Sequence, residues 1–461
     1  MGKEASAVMS DMLIRRVVAP LWAWHERSPY LKVVEELRAR ERMSPDERLA
    51  RQWKMLVKLV EHAWNNCPYY RRRFGDAGFD PHDLRSWDDF ERLPILTKSD
   101  IRSASAEMVS KTADRSRLVA RKTSGSTGVS LNFFVDDAEF QFKRGAACYR
   151  DQWSGWRLGE WRAAVWGNPT YLQSFRTRLR NALLERTFSL DTLKMDERMM
   201  HRFAREILRR RPTLLFGHAH SLYLFAGFWK ENRYPEYGFR GIISTAMILH
   251  GFERRKCEDV FGCRVFDRYG CEEVSLIASE CEAHEGLHEN TDTLVIEVRN
   301  DHGRCAPGET GKVIVTDLHN FAMPFIRYEV GDMAAKKAGA CPCGRTYPML
   351  DGVVGRVADY LRTPEGQWIS GISLTENFAT LIPGLEQVQI VQERADFLRL
   401  RVVPGADFDQ KSRECIRALV AERFGARMGY GIDLVDRIHP EASGKYRFSV
   451  YAVDSQARPE S

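Results

Sequence analysis

The sequence predicts an α/β fold: a large N-terminal domain with α/β layers and a β-rich subdomain, followed by a small α+β C-terminal domain. Three observations predict it. Short apolar runs alternate with helical stretches from Leu118 to Asp267, the pattern of largely parallel strands joined by helices. Past Thr293 the runs crowd together, as antiparallel strands do. Beyond Gly355-Arg356-Val357-Ala358-Asp359, two strand-like runs and one helical run fill about a hundred residues, enough for a small domain. The boundary divides the chain into residues 1–358 and 359–461, with a helical N-terminal region over about residues 1–100.

The elements follow in order. Leu56, Leu59, Val60, Ala63 and Trp64 have the i, i+3, i+4 rhythm of one buried helical face, which Pro68 ends. Strands are expected at Ala163–Trp166, Thr213–Phe216, Gly241–Ser244 and Val265–Asp267, with helices at Asp137–Trp153 and Asp196–Arg210. Further strands are expected at Leu294–Arg299, Lys312–Leu318 and Phe325–Tyr328. In the last hundred residues, Val388–Gln392 and Phe397–Val403 read as strands and Asp409–Phe424 as a helix.

With 44% hydrophobic and 29% charged residues in 461, the composition is that of a soluble globular protein too long for one ordinary domain. The formal net charge of +6 suits an anionic small molecule but is too small to imply nucleic-acid binding, and no Lys/Arg run supports that class. Met12–His25 is apolar but broken by Arg15, Arg16 and Pro20 and has no clean small-residue cleavage site after it, so it does not read as a signal peptide, and it is too short and interrupted to span a bilayer. A helix docked on its own core is expected there, with membrane-surface contact as the alternative. Ten cysteines without a secretory signal point to reduced thiols and a cytoplasmic protein.

Lys122-Thr123-Ser124-Gly125-Ser126-Thr127-Gly128 packs hydroxyls and glycines between two apolar runs. Glycines let backbone N–H groups approach an anion, and hydroxyls add donors, so the segment suits a phosphate cradle. A flexible surface loop has the same composition. It is not a Walker loop, because no Gly-Lys-Ser/Thr follows.

Further motifs follow: Tyr269-Gly270-Cys271-Glu272-Glu273, Arg327-Tyr328-Glu329-Val330-Gly331-Asp332, Gly355-Arg356 with Asp359, and Ser443-Gly444-Lys445. In this order they resemble the signature elements of the adenylate-forming, acyl-CoA synthetase superfamily. Cys67-Pro68-Tyr69-Tyr70, the Leu93–Lys98 segment, Met323–Tyr328 and Cys341-Pro342-Cys343-Gly344-Arg345 narrow the resemblance to phenylacetate–CoA ligase-like proteins. It covers nearly the whole chain. It implies an enzyme that uses ATP to make an acyl-AMP, releases pyrophosphate, and passes the acyl group to CoA. An amine, a hydroxyl or a carrier protein is the alternative acceptor, and a non-catalytic nucleotide-binding homologue is the alternative outside enzymes.

The resemblance also implies roles. Thr123, Ser124, Gly125, Ser126, Thr127 and Gly128 would hold ATP phosphates. Glu273 would hold Mg²⁺, a hard cation that takes carboxylate oxygen. Tyr269 would stack on adenine with Gly270 beside it among the AMP-binding residues, and Asp332 would take both ribose hydroxyls with its two acceptor oxygens. Arg356 would fix ribose or phosphate, and Asp359 would be the hinge of the small domain. Lys445 would reach the α-phosphate and carboxylate as a point charge on a flexible stem. Ala246 falls among the AMP-binding residues, in a Ser244-Thr245-Ala246-Met247 segment that replaces the common small residue plus Gly-Glu.

Cys281, Cys341 and Cys343 with His288 make a set suited to tetrahedral zinc, and His284 is a rival for the imidazole position. The resemblance supports structural zinc at these places. Other residues depart from the family pattern: Val129-Ser130 after the glycine-rich loop, Glu272 for Ser or Thr, and Tyr360–Pro364 after the hinge. They imply a divergent branch, similar to members tied to capsular polysaccharide biosynthesis. The acyl pocket is expected around Phe216-Gly217-His218-Ala219-His220, facing a small carboxylic acid.

Overall fold

The computed structural model describes residues 11–122, 131–167, 175–192, 195–300, 302–354, 360–365, 368–370, 374, 378, 381–438 and 449–453. Helices open the chain: Ala19–His25, Tyr30–Ala39, Pro45–Asn66 and Pro68–Asp76. Ser44 and Glu47 form a capping box at the third, and Pro68 opens the fourth rather than only closing its predecessor. A short pair, β1 (Val119–Lys122) and β2 (Asn132–Val135), runs antiparallel with Lys122 opposite Asn132.

One large sheet dominates. Its parallel part contains β3 (Arg162–Val165), β4 (Thr187–Leu190), β5 (Leu214–His218), β6 (Gly241–Thr245) and β7 (Val265–Cys271). It continues through β8 (Ser275–Glu280), β9 (Leu287–Glu289), β10 (Leu294–Asn300), β11 (Gly303–Arg304), β12 (Thr310–Asp317), β13 (Tyr328–Lys337) and β14 (Met349–Val354). The order is β11-β10-β12-β13-β14-β9-β8-β7-β6-β5-β3-β4. The α/β layers and the β-rich part are therefore one continuous sheet. They join at β7, which pairs parallel with β6 and antiparallel with β8. The interior parallel strands read as continuous apolar runs because helices such as Glu197–Arg210 and Ala219–Glu231 cover them.

The strand expected at Phe325–Tyr328 begins only at Tyr328. Arg327 is held at φ 52° by a forked pair with Glu297 and by the carbonyls of Glu91 and Leu93, so the backbone turns instead of extending.

A second sheet has the order β19-β18-β17-β20. Its hairpin of β17 (Leu385–Arg394) and β18 (Phe397–Pro404) is flanked in parallel by β19 (Gly429–Leu434) and β20 (Ser449–Tyr451). Helix Gln410–Phe424 closes its own apolar core of Ile390, Leu398, Leu400, Ile416 and Val420. A two-stranded pair, β15 (Tyr360–Arg362) with β16 (Trp368–Ser370), precedes it. Among the described residues, no helix is long and apolar enough to cross a membrane.

Candidate active site

Register brings the site together at the carboxyl ends of the parallel strands, where open α/β sheets hold ligands. His218 of β5 lies opposite Thr245 of β6, and Thr245 opposite Arg268 of β7. Ala246 and Tyr269 are the next residues along their segments. Ala246 stands at φ 66°, in the left-handed region that favours glycine. Gly270 occupies a bulge where a Cβ would lie 2.6 Å from the Ser275 carbonyl oxygen, so only glycine lets Tyr269 sit as it does.

Tyr269 donates its hydroxyl to Asp332 Oδ2 at 2.9 Å, and both residues are buried. Glu273, also buried, accepts from the Tyr328 hydroxyl at 2.8 Å and lies 3.8 Å from Lys98 Nζ. A cation and a hydroxyl thus stabilise a carboxylate that would otherwise carry the full cost of burial. Lys98 is the first residue of helix Lys98–Met108, fixed by a capping box between Thr97 and Asp100.

The segment bearing Lys98 is stitched to the one bearing Tyr328. Leu96 N–H donates to Arg327 O, and Glu329 N–H donates to Leu96 O, both at 2.9 Å. Tyr70 adds a third segment, donating to Pro324 O at 2.6 Å and accepting from Ile326 N–H at 3.2 Å. Three motifs scattered over the sequence therefore buttress one carboxylate. The sequence reading missed Lys98 and Tyr328 as neighbours of Glu273, although both lie within motifs it quoted.

At the end of β5, His218 is fully enclosed beside the Trp166 ring, with centroids 4.2 Å apart, and burial holds its pKa down at about 4. Neither ring nitrogen has a partner among the described residues, and the buried Ser244 hydroxyl on β6 likewise has none. His220 points elsewhere, its Nδ1 2.7 Å from Glu253 Oε1. Of the two histidines, only His218 keeps both ring nitrogens without a partner among the described residues.

Thr123, Ser124, Gly125, Ser126, Thr127, Gly128, Arg356, Asp359 and Lys445, expected at the nucleotide site, lie outside the described residues. In sequence the first six fall between the paired strands β1 and β2.

A separate cluster forms where the turn after β8 meets the turn before β14. The ligand atoms of Cys281, His288, Cys341 and Cys343 all lie within 4.8 Å of one another. Cys281 Sγ is 3.6 Å from Cys341 Sγ, and Cys343 Sγ is 3.4 Å from His288 Nε2. Tetrahedral zinc, with bonds of about 2.3 Å to sulfur and about 2.0 Å to nitrogen, calls for roughly 3.8 Å and 3.5 Å between such atoms. Ala283 N–H and Arg345 N–H each reach a cysteine sulfur at 3.4 Å, as donors to thiolates do. Burial, with Arg150 close by, holds His288 down at about 4, so its imidazole is neutral and able to ligate. His284 lies outside this cluster. Its Nδ1 is 3.2 Å from Glu280 Oε2 and its ring packs on Phe266. The cluster is thus built with His288.

Comparison with known proteins agrees with this architecture. Residues 361–451 match the family described as the CapK C-terminal domain. The chain is 24% identical over 373 residues to Protein CapK of Staphylococcus aureus, covering 78% of this chain and 80% of that protein. It is 27% identical over 334 residues to phenylacetate-coenzyme A ligase of Thermus thermophilus, covering 69% and 72%. The corresponding Escherichia coli ligase is 26% identical over 344 residues, covering 70% and 74%. Among solved structures, 2-hydroxyisobutyryl-CoA ligase with 2-HIB-AMP and CoA in the thioesterification state superposes with a TM-score of 0.63 at 24% identity. That match covers 89% of this chain and 91% of the ligase. The fold is that of the adenylate-forming CoA ligases, and the resemblance carried by the sequence motifs is borne out.

Proposed function

We propose, from the premise that this chain shares its fold with adenylate-forming CoA ligases and resembles phenylacetate-coenzyme A ligases and CapK in sequence, that it activates a carboxylic acid. ATP would be the activating nucleotide, acyl-AMP the intermediate, pyrophosphate the first product and CoA the acyl acceptor. The observation that carries this reading is the buried Tyr269–Asp332 pair, with Tyr269 at the carboxyl end of the parallel strand β7. A nucleoside needs one aromatic face and one carboxylate with two acceptor oxygens, and that pair supplies both.

Joining a carboxylate to an α-phosphate brings two anions together, so the pocket must offset their repulsion. Residues 123–128 would hold the phosphates through backbone N–H groups and hydroxyls. Glu273, steadied by Tyr328 and Lys98, is suited to hold Mg²⁺, which supplies charge neutralisation when bound. Arg356 would fix the ribose or phosphate. Lys445 would bring an ammonium to the reacting oxygens. Residues 359–461 would act as a small lid domain turning at Asp359 and exchanging the Lys445 face for one that serves thioester formation. The unmatched His218 and Ser244 polar atoms favour an acid with a polar substituent.

Cys281, His288, Cys341 and Cys343 fit a structural Zn²⁺ that would tie the turn after β8 to the segment before β14. We place the protein in the cytoplasm, in a divergent branch that resembles Protein CapK.

The test is acid-dependent ATP–pyrophosphate exchange across aromatic, fatty, hydroxy, amino and sugar acids. At least one class should support exchange. Lys445→Ala should abolish it while ATP binding persists. Exchange at the wild-type rate in that variant, or no exchange with any acid, overturns the reading.

A further inference from the structure

The helices at the start of the chain use two apolar faces where a docked helix needs one. Ile14, Ala19 and partly buried Trp22 face inward, packed with Leu184 of the neighbouring segment Asn181–Glu185. The opposite face carries Leu13, Val17, Leu21 and Trp24, at i, i+4, i+8 and i+11, all exposed. Leu21 is 60% exposed and Trp24 80%. The adjoining helix Phe175–Arg180, continuing into Asn181–Glu185, repeats the pattern. Phe175 is 73% exposed, and Leu179 and Leu183 follow it at i+4 and i+8. Two packed helical segments thus each present an outward apolar stripe. Isolated exposed leucines need no explanation, but a cluster of this kind does.

The surrounding charge identifies the occupant. Residues 11–27 and 175–186 hold seven arginines against three acidic residues. All three acids are engaged by arginines of the same patch: Asp11 by Arg186, and Glu26 and Glu185 by Arg180. Exposed Arg16, Arg27 and Arg178 have no acidic partner among the described residues. Apolar side chains with a tryptophan among them, flanked by unpaired arginines, match the interface of an anionic bilayer. A symmetric contact between two copies would set these arginines against one another.

We propose that the outward faces of Leu13–Trp24 and Phe175–Leu183 form an interfacial patch that seats this protein on an anionic membrane surface without crossing it. The seating is peripheral and reversible, by shallow insertion of Leu21, Trp24 and Phe175 with arginines on lipid phosphates. It is independent of the catalytic reading, since none of these residues belongs to the nucleotide site.

The experiment is vesicle co-sedimentation of the full chain with phosphatidylcholine alone and with phosphatidylcholine plus phosphatidylglycerol, at low and high salt. Binding to the anionic vesicles, weakened by salt and absent with phosphatidylcholine alone, is expected. Leu21→Glu with Trp24→Glu should reduce partitioning at least about tenfold, and Arg16→Glu with Arg178→Glu should do the same. Both double variants should elute and melt like the wild type, the second serving if the first misfolds. No binding to anionic vesicles, or equal binding by the variants, overturns the proposal. So does a wild-type dimer that Leu21→Glu with Trp24→Glu converts to monomer without any vesicle binding, which would make the patch a contact between copies.

Discussion

The Tyr269 hydroxyl donates to Asp332 Oδ2 across 2.9 Å, joining the aromatic ring of one motif to the carboxylate of another sixty-three residues away. The bond orients the carboxylate without using its second oxygen for this contact. Tyr269→Phe keeps the ring and removes the donor, a loss of about 1 kcal/mol. KM for ATP should rise about three- to tenfold with kcat little changed. Asp332→Ala removes the proposed ribose acceptor and should cost about a hundredfold in kcat/KM for ATP. Pyrophosphate-exchange kinetics at varied ATP measure both. An unchanged KM in the two variants would detach this pair from the nucleotide.

Purified protein prepared without chelator should carry about one zinc per chain, bound through thiolates. The Cys281, His288, Cys341 and Cys343 atoms are already at ligating separations, so the metal replaces contacts between lone pairs and buried thiols with bonds. Cys341→Ser should release the metal and lower the melting temperature by several degrees, because metal binding to a folded site adds directly to stability. Metal analysis and calorimetry test this together. Full occupancy in the variant would show the metal is held elsewhere.

Much of this was legible in the sequence, and the failures have physical causes. Motif order located Tyr269, Glu273 and Asp332, because each occupies a short stretch whose composition survives without its neighbours. The pairing of Lys98 with Glu273 was not legible, since it depends on the link from Leu96 to Arg327 and Glu329. Apolar spacing located the helices, yet it does not say which apolar face of Met12–His25 turns outward. Phe325–Arg327 read as strand because its composition is apolar and aromatic. Tertiary hydrogen bonds on Arg327 override that preference. The choice between His284 and His288 rests on side-chain placement, which spacing alone leaves open.

Ala246 provides a test of local strain. It is exposed and adopts φ 66°, which costs an L-residue about 1–2 kcal/mol. Glycine relieves that strain but loses more chain entropy on folding, about 0.5–1 kcal/mol. Ala246→Gly should therefore leave stability unchanged or raise it by up to about 1.5 kcal/mol, whereas Ala246→Val should lower it by at least about 1 kcal/mol. Denaturant unfolding of the two variants decides. A glycine variant markedly less stable than wild type would mean the alanine methyl makes a contact that outweighs the strain.

Lys143 lies between two buried carboxylates, paired with Glu139 on its own helix and 2.5 Å from Asp317 Oδ2 at the end of β12. One cation does not neutralise two buried anions, so one carboxyl keeps its proton. Burial pushes Glu139 up to about 8, from an ordinary 4.5, with Asp317 adding to the rise and Lys143 opposing it. The native state thus holds a proton that the unfolded chain releases near its ordinary value. The stability due to this proton is fully present below that value and is lost as pH rises through about 8. Glu139→Gln mimics the protonated carboxyl and removes the titration. The wild type should lose on the order of a few kcal/mol between about pH 5 and about pH 9, and the variant should lose distinctly less. Chemical denaturation across that range, compared between the two proteins, gives the difference directly. Parallel pH profiles would mean that Glu139 is ionised throughout and that Lys143 balances both carboxylates.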